Sequence, residues 1–179
     1  IAKGLGAGYQ PIGAVLVSKK INDAIANGSG FFQHGHTYQG HATACAAALA
    51  TQRAIRERDL LTNVVKQGEN LADGLRAKLG QHPFVGDIRG RGLFRGVELV
   101  ANRETKDPFD PTMKINAKIK KAAFARGLMA YPMGGTIDGV RGDHVLFAPA
   151  FIVTEDDVAK IVDLFAAALD DVFAAEGLT

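Results

Sequence analysis

A strongly periodic segment at Leu60–Leu79 constrains the fold most, because it presents one broad apolar face that must be covered. That face carries Leu61, Val64, Val65, Leu71, Leu75 and Leu79. Gly80 follows directly and is predicted to end the helix. The preceding segment, Ala42–Arg58, is rich in alanine and other strong helix formers and is predicted to be a second helix. We place a domain boundary between them at Asp59, which divides the chain into residues 1–59 and 60–179.

Short strands and further helices are predicted in the second part of the chain. Glycines interrupt the apolar residues of Val85–Val100, a pattern typical of two strands joined by a bend. Thr154 is predicted to cap the last helix in a capping box with Asp157. Between these segments we predict a helix over Met113–Arg126 capped by Thr112, and strands over Leu128–Tyr131 and Val145–Ala148. This mixture predicts an α/β protein.

The composition fits a globular protein and disfavours several kinds of partner. Hydrophobic residues make up 47% of the 179 positions, which is enough for a core. The 21 basic and 19 acidic residues are scattered and give a net charge of +2, so nothing favours nucleic acid. Cys45 is the single cysteine, which excludes an intrachain disulfide and favours the cytoplasm. Without a leader or a long apolar run, we expect a soluble protein rather than a membrane protein.

Lys3 is the first candidate for chemistry. It directly precedes glycines at positions 4, 6 and 8, and the apolar run Pro11–Val17 follows as a predicted buried strand. A lysine in a partly dry, glycine-walled pocket loses its proton more readily, because burial disfavours the ammonium form. Its amine can then attack a carbonyl and form a Schiff base. The alternative is an ordinary solvated lysine.

A second candidate lies in the loop His34–His41, which mixes aromatic, imidazole and glycine residues. The hydroxyl and backbone amide of Thr37 can both donate to a phosphate. The alternative is an ordinary turn stabilised by a threonine side chain. The three histidines lack a cysteine or carboxylate partner and the spacing of a metal-binding helix, so a zinc site is disfavoured.

Four segments together resemble the class III pyridoxal-phosphate-dependent aminotransferases, also called the ω-aminotransferase family. The first is Lys3–Val15, which contains the runs Lys-Gly-Leu-Gly-Ala-Gly-Tyr and Pro-Ile-Gly-Ala-Val. The others are His36–His41, Arg89–Leu99 and Phe147–Ala150. The resemblance extends over nearly all 179 residues, but only to the C-terminal part of such an enzyme. Pro149-Ala150 departs from the Pro-Pro that is usual in the family. Since the chain starts at Ile1, without Met, we expect a preceding part.

The resemblance implies a fold-type I transferase. Residues 1–59 would be the C-terminal part of the large domain that binds pyridoxal phosphate, and residues 60–179 the α+β C-terminal small domain. Lys3 would hold the cofactor in a Schiff base and carry protons. Thr37 would bind the phosphate of the partner subunit's cofactor, which implies a homodimer. The implied reaction moves an amino group from an amine or an ω- or β-amino acid to a keto acid such as pyruvate.

Arginines are candidates for binding the substrate carboxylate. Arg141 lies in a glycine-rich loop and can form a two-pronged ion pair. The alternative is an ordinary surface arginine in a glycine-rich turn. Family members place a mobile arginine near this point, and in some it stands where this chain has Tyr131. Arg89, Arg91 and Arg95 alternate with glycines, and we interpret them as a strand face that is solvated or paired with Glu98 or Asp87 rather than as an anion site.

Two other functions stay open. A decarboxylase or an aminomutase of the same fold would share the lysine and threonine. A non-catalytic module could instead use the glycines at positions 4, 6 and 8 against a phosphate, although their spacing differs from the dinucleotide-binding fingerprint. The groups expected to pair with the pyridine nitrogen, stack on the ring and first bind the phosphate are not visible, so we expect the isolated chain to be inactive.

Overall fold

The structure, a computed structural model, describes residues 1–178. The chain divides into two compact units, Ile1–Leu60 and a second that begins at Leu61. No helix within residues 1–178 combines the length and the apolar character needed to span a bilayer.

The first unit contains two helices and a single 3₁₀ turn, Lys3–Leu5. Helix α1 spans Lys19–Asn27, and its N-cap, Ser18, accepts a hydrogen bond from the Ile21 backbone N–H at 3.4 Å. Helix α2 spans Ala42–Glu57, as the alanine-rich composition predicts.

The predicted buried strand over Pro11–Val17 is wrong. This segment is not a strand, and Val15 and Leu16 are 90% and 75% exposed. A backbone pair between Ala14 and Ile1, with an N–H···O distance of 2.8 Å, holds its start. No neighbouring strand within residues 1–178 lies beside it, and an apolar run forms a strand only where a partner completes the ladder.

The second unit is a four-stranded sheet with three helices. Helix α3 begins at the boundary between the units, and the sheet has the strand order β1-β2-β4-β3 with every neighbouring pair antiparallel. The elements are α3 (Leu60–Leu79), β1 (Val85–Arg91), β2 (Phe94–Leu99), a 3₁₀ turn (Pro111–Met113), α4 (Ile115–Ala125), β3 (Tyr131–Gly134), β4 (Asp143–Phe147) and α5 (Glu155–Ala175).

The core of this unit lies between the helices and one face of the sheet. Alternate residues of β2 and β4 point inward, among them Val97 and Val145, which are fully buried. Phe147 meets Phe165 of α5 edge to face, with ring centroids 4.9 Å apart. The apolar face of α3 contributes Leu71, Leu75 and Leu79 to the same cluster. The predicted helix Leu60–Leu79 is therefore confirmed, and so is the burial of these three leucines. Leu61 and Val65, predicted on the same apolar face, are instead 61% and 63% exposed.

Arg95 joins the β1–β2 hairpin to α3. Its side chain is 5% exposed, and its Nη2 donates to Glu69 of α3 at 2.8 Å. Its Nε and Nη1 donate to the carbonyl oxygens of Gly92 and Gly90, each at 2.8 Å. The expected solvated or strand-paired position of Arg95 is wrong, because this residue lies on the core side of β2. A Cβ at Gly68 of α3 would come within 2.3 Å of the Gly92 backbone, so the hairpin turn packs closely on the helix.

The strand face that carries Arg89 agrees with the sequence interpretation. The Nη1 of Arg89 donates to Asp87 at 2.8 Å and to Glu98 at 2.6 Å, and these carboxylates raise the pKa of the guanidinium. The side chain of Arg91, on the same strand, makes no hydrogen bond or ion pair within residues 1–178.

The predicted start of α4 is wrong. Thr112 does not cap the helix: Asp110 caps the preceding 3₁₀ turn by accepting the Thr112 N–H at 2.8 Å, and α4 starts only at Ile115. The first turn of α4 is instead capped from β4, where the Asp143 carboxylate accepts the Asn116 N–H at 3.1 Å. Burial raises the pKa of Asp143 above its ordinary value.

Strand β3 also differs from its prediction, because it covers Tyr131–Gly134 rather than Leu128–Tyr131. Pairing with β4 decides these bounds, from Tyr131 opposite Leu146 to Gly134 opposite Asp143. At the last helix, the capping box of Thr154 and Asp157 is confirmed.

Candidate active site

Lys3 occupies a strained backbone position at the start of the first unit. It is the first residue of the 3₁₀ turn, and its φ of +52° lies in the left-handed region that non-glycine residues rarely adopt. The turn is closed by hydrogen bonds from Leu5 N–H to Ala2 O, at 3.1 Å, and from Gly6 N–H to Lys3 O, at 3.2 Å. Strained residues of this kind cluster at functional sites.

The amine of Lys3 is free within residues 1–178. The residue is exposed, and its side chain makes no hydrogen bond or ion pair there. A Cβ built at the neighbouring Gly4 would meet no atom within 4 Å, so there is open space beside the lysine. The partly dry pocket predicted for Lys3 is not formed by these residues themselves.

Helix α2 holds the lysine turn in place through Gln52. The side-chain Nε2 of this residue donates to the carbonyl oxygen of Leu5, the last residue of the turn, at 3.1 Å. Sequence reasoning missed Gln52, and no local signal could have found it, because the two residues are 47 positions apart.

Thr37 lies at the start of an exposed turn that ends directly before α2. The turn is closed by backbone bonds from Gln39 to His36, at 3.0 Å, and from His41 to Tyr38, at 3.1 Å. Neither the hydroxyl nor the backbone N–H of Thr37 has a partner within residues 1–178. Both groups are donors, so the turn offers two unpaired donors to an anion.

The histidines beside Thr37 have other surroundings. The Nδ1 of His41 accepts the Ala44 N–H at 3.3 Å and so caps α2. The His34 ring meets Phe32, with centroids 5.9 Å apart. Across the part of the chain that the structure describes, no group of three His, Cys, Asp or Glu residues is arranged to hold a metal ion.

The three predicted site residues are divided between the units. Lys3 and Thr37 belong to the first unit and Arg141 to the second, in the loop between β3 and β4. The Arg141 side chain is 56% exposed and pairs with Asp138 at 2.7 Å. Sequence reasoning missed Asp138, although its position three residues before Arg141 in a glycine-bounded loop is a visible signal.

The fold is that of the transaminases. A transaminase from the marine bacterium Virgibacillus matches with a TM-score of 0.92 and 32% identity, over 98% of this chain and 39% of that one. The class III aminotransferase family model matches residues 1–169. The chain therefore belongs to the class III aminotransferase family, whose members have the fold-type I architecture and depend on pyridoxal phosphate.

Curated relatives agree with this assignment. An aminotransferase from Gibberella zeae is 48% identical over 163 residues, which are 90% of this chain and 32% of the relative. A chloroplastic gamma-aminobutyrate transaminase from Solanum lycopersicum is 34% identical over 174 residues, 96% of this chain and 32% of the relative. The chain thus spans about a third of the length of these curated relatives.

The chemistry of the candidate residues fits pyridoxal phosphate. This cofactor carries an aldehyde, which a primary amine can attack, and a phosphate, which accepts hydrogen bonds. Lys3 offers an amine that has no competing partner among residues 1–178, and Thr37 offers two donors in an exposed turn.

Proposed function

We propose that this chain forms the C-terminal part of an aminotransferase that moves an amino group from an amine or an ω- or β-amino acid to a keto acid such as pyruvate. The similarity to a tomato gamma-aminobutyrate transaminase supports an ω-amino acid among the donors. The observation that carries the proposal is the Lys3 amine, which has no partner in the described part of the chain and lies on a strained turn that α2 holds through Gln52. In this proposal residues 1–59 complete the large domain and residues 60–179 form the small domain.

Lys3 has two roles in the proposed reaction. Its amine would bind the aldehyde carbon of pyridoxal phosphate, and once the substrate amine has displaced it, it would move a proton from the substrate carbon that bears the amino group to the cofactor. When bound, the cofactor supplies the electron sink that makes this carbon acidic. An amine whose side chain has no partner within residues 1–178 is available for both roles.

Thr37 is proposed to act on the cofactor of the partner subunit. Its hydroxyl and backbone N–H would donate to the phosphate, which places a binding residue of each site on the neighbouring protomer of a homodimer. The exposure of this turn, with both donors unpaired within residues 1–178, supports a role toward another molecule.

Arg141 is proposed to bind the carboxylate of the keto acid. A guanidinium matches a carboxylate with two parallel hydrogen bonds, a geometry that lysine does not offer. Its exposure in the β3–β4 loop supports this role.

The single cysteine, Cys45, is exposed and free, which favours a reducing compartment such as the cytoplasm.

The test uses the family-length protein that contains these residues. Borohydride should fix pyridoxal phosphate to Lys3, and peptide mass spectrometry should locate the label there. Lys3→Ala should abolish both the label and the formation of alanine from pyruvate. Lys20→Ala, at another exposed lysine without a partner, is the matched control and should retain both.

The same assay separates the alternatives. Release of carbon dioxide without alanine formation would assign a decarboxylase instead. A label on another lysine would overturn the role of Lys3.

A further inference from the structure

The loop between β3 and β4 is a closed hairpin rather than an open connection. The Gly139 N–H donates to Gly135 O at 3.0 Å, and the Ile137 N–H donates to Arg141 O at 3.0 Å. The Thr136 N–H donates to Gly142 O at 3.3 Å. These bonds give Arg141 a defined backbone position at the second stem of the hairpin.

Asp138 is the centre of this hairpin. Its Oδ1 accepts the backbone N–H groups of Val140, at 3.0 Å, and Arg141, at 2.7 Å. Its Oδ2 accepts the Nε–H of Arg141 at 2.7 Å. One carboxylate therefore fixes both the main chain and the side chain of Arg141.

These donors keep Asp138 ionised. The Arg141 backbone N–H, the Arg141 guanidinium and the Val140 N–H, in that order, lower the pKa of Asp138 to about 2. The carboxylate is thus charged throughout the range in which an enzyme of this kind works.

The pairing uses only the inner nitrogen of the guanidinium. Arg141 donates through Nε, while its Nη1 and Nη2 have no partner within residues 1–178 and the side chain is 56% exposed. Arg95 provides a contrast, since its Nε, Nη1 and Nη2 are all bonded and its side chain is buried. All three guanidinium nitrogens of Arg95 donate hydrogen bonds within the fold, whereas the two outer nitrogens of Arg141 are available to a ligand.

We infer that Asp138 is a positioning residue, which holds Arg141 by its Nε so that Nη1 and Nη2 face outward as a preformed pair for a substrate carboxylate. This inference rests on the proposed carboxylate role of Arg141. An arginine that is already oriented loses less conformational freedom on binding than a free one. The carboxylate of Asp138 and that of the substrate can then bind different edges of the same guanidinium.

The experiment measures carboxylate binding in the family-length enzyme. Asp138→Ala should raise KM for pyruvate about three- to tenfold, the size expected when one flexible side chain must be ordered during binding. KM for isopropylamine, which has no carboxylate, should not change. Titration calorimetry with propionate, a non-reacting carboxylate, should show a rise in Kd by the same factor.

A second variant guards against a folding defect. Asp138→Asn keeps an oxygen for the two backbone N–H groups but lacks the charge, so its KM for pyruvate should lie between those of the wild type and Asp138→Ala. The matched control is Asp73→Ala, which removes an exposed carboxylate from a similar Asp–Arg pair, three residues apart, in α3. It should leave both KM values unchanged.

Arg141→Ala and the double variant Asp138→Ala/Arg141→Ala separate the two proposals. If Arg141→Ala leaves KM for pyruvate unchanged, the carboxylate role of Arg141 in the proposed function is overturned. If it raises KM while Asp138→Ala does not, only the positioning role falls. If Asp138→Ala raises KM further in the Arg141→Ala background, Asp138 does not act through Arg141 and the inference is wrong.

Discussion

The two units differ in how much of their apolar surface they bury. In the second unit, side chains from three helices and the sheet share one cluster, in which Leu75 and Phe165 are fully buried. Among residues 1–59 the buried residues are small, such as Ala44 and Ala48, and most of the large apolar side chains are exposed. The exposed set comprises Ile1, Tyr9, Val15, Leu16, Val17, Ile21, Phe31, Phe32, Tyr38 and Leu49.

The candidate cofactor residues and the main hydrophobic core therefore belong to different units. Lys3 and Thr37, the candidate cofactor residues, lie on the unit with little core, where few contacts of its own offset the entropy of ordering the chain. The relatives are about three times as long as this chain. We infer that the first unit needs surface supplied by the rest of a family-length protein, whereas the second unit carries its own core.

Hydrogen exchange of the isolated chain should show the largest difference between the units. Backbone amides of β2 and β4 lie in ladders over a buried core, so we expect protection about 10³-fold or more above that of Val15–Val17. Exchange mass spectrometry with peptide resolution measures both. Similar protection in the two units would contradict the comparison.

Truncating a leucine in each unit tests the same difference by stability. Leu75→Ala removes a fully buried side chain and should lower the free energy of unfolding of the isolated chain by about 2–5 kcal/mol. Leu16→Ala, at a position 75% exposed, is the matched control and should change it by less than about 0.5 kcal/mol. Urea denaturation followed by circular dichroism measures both.

The control also sharpens the comparison when it is moved into the family-length protein. If that protein covers Leu16, the same substitution should there cost more than about 1 kcal/mol, because a buried methylene contributes about that much. An equally small cost in both proteins would show that Leu16 stays exposed and that our account of the first unit is wrong.

Local chemistry explains which parts of the fold were predictable from sequence. The bounds of α3 follow from its periodicity and Gly80, and the start of α5 follows from the spacing of Thr154 and Asp157. Non-local contacts decide what failed. The bounds of β3 depend on its pairing with β4, and α4 is capped by Asp143, which is 27 residues from Asn116.

The candidate site shows the same limit. Lys3 and Thr37 were found through motifs, and their roles stay predictions, since the sequence cannot show what surrounds them. Gln52 was not predicted, because its partner, Leu5, is 47 residues away. No sequence pattern links two residues at that separation. Asp138 and Arg141 are three residues apart, so their pair could have been found from the spacing of opposite charges in a glycine-bounded turn.

Substituting the helix caps of the two units should change the stability of the second unit by different amounts, and this difference should be smaller than that between the leucine variants. At α5 the Thr154 hydroxyl accepts the Asp157 N–H at 3.2 Å and Asp157 accepts the Thr154 N–H at 2.9 Å in return. Thr154→Ala should therefore cost about 1 kcal/mol in the unfolding of the second unit. Ser18→Ala, which removes a single 3.4 Å bond at α1, should leave that transition unchanged. Equal effects of the two variants on this transition would contradict the separation of the units.

The smallest expected effect is the loss, at acid pH, of the stability that Asp157 contributes to the capping box of α5. Hydrogen bonds from the Thr154 hydroxyl and then its backbone N–H lower the pKa of Asp157 below the ordinary 3.8. A depressed folded-state pKa contributes stability above the unfolded value of 3.8 that is lost as the pH falls through the folded value. The stability difference between wild type and Asp157→Asn should thus be constant near neutral pH and shrink below pH 3.8.

Subtraction isolates this effect from the rest of the acid titration. Burial raises the pKa of Asp143, so its contribution has the opposite sign and is lost as the pH rises through its folded value. Both proteins contain Asp143, and its contribution cancels in the difference. Helix α1 has no acidic residue in its first turn, so the difference between wild type and Ser18→Ala should show no such dependence. Urea titrations at several pH values measure both differences, and a difference for Asp157→Asn that stays constant into strong acid would show that the carboxylate's charge does not stabilise the cap.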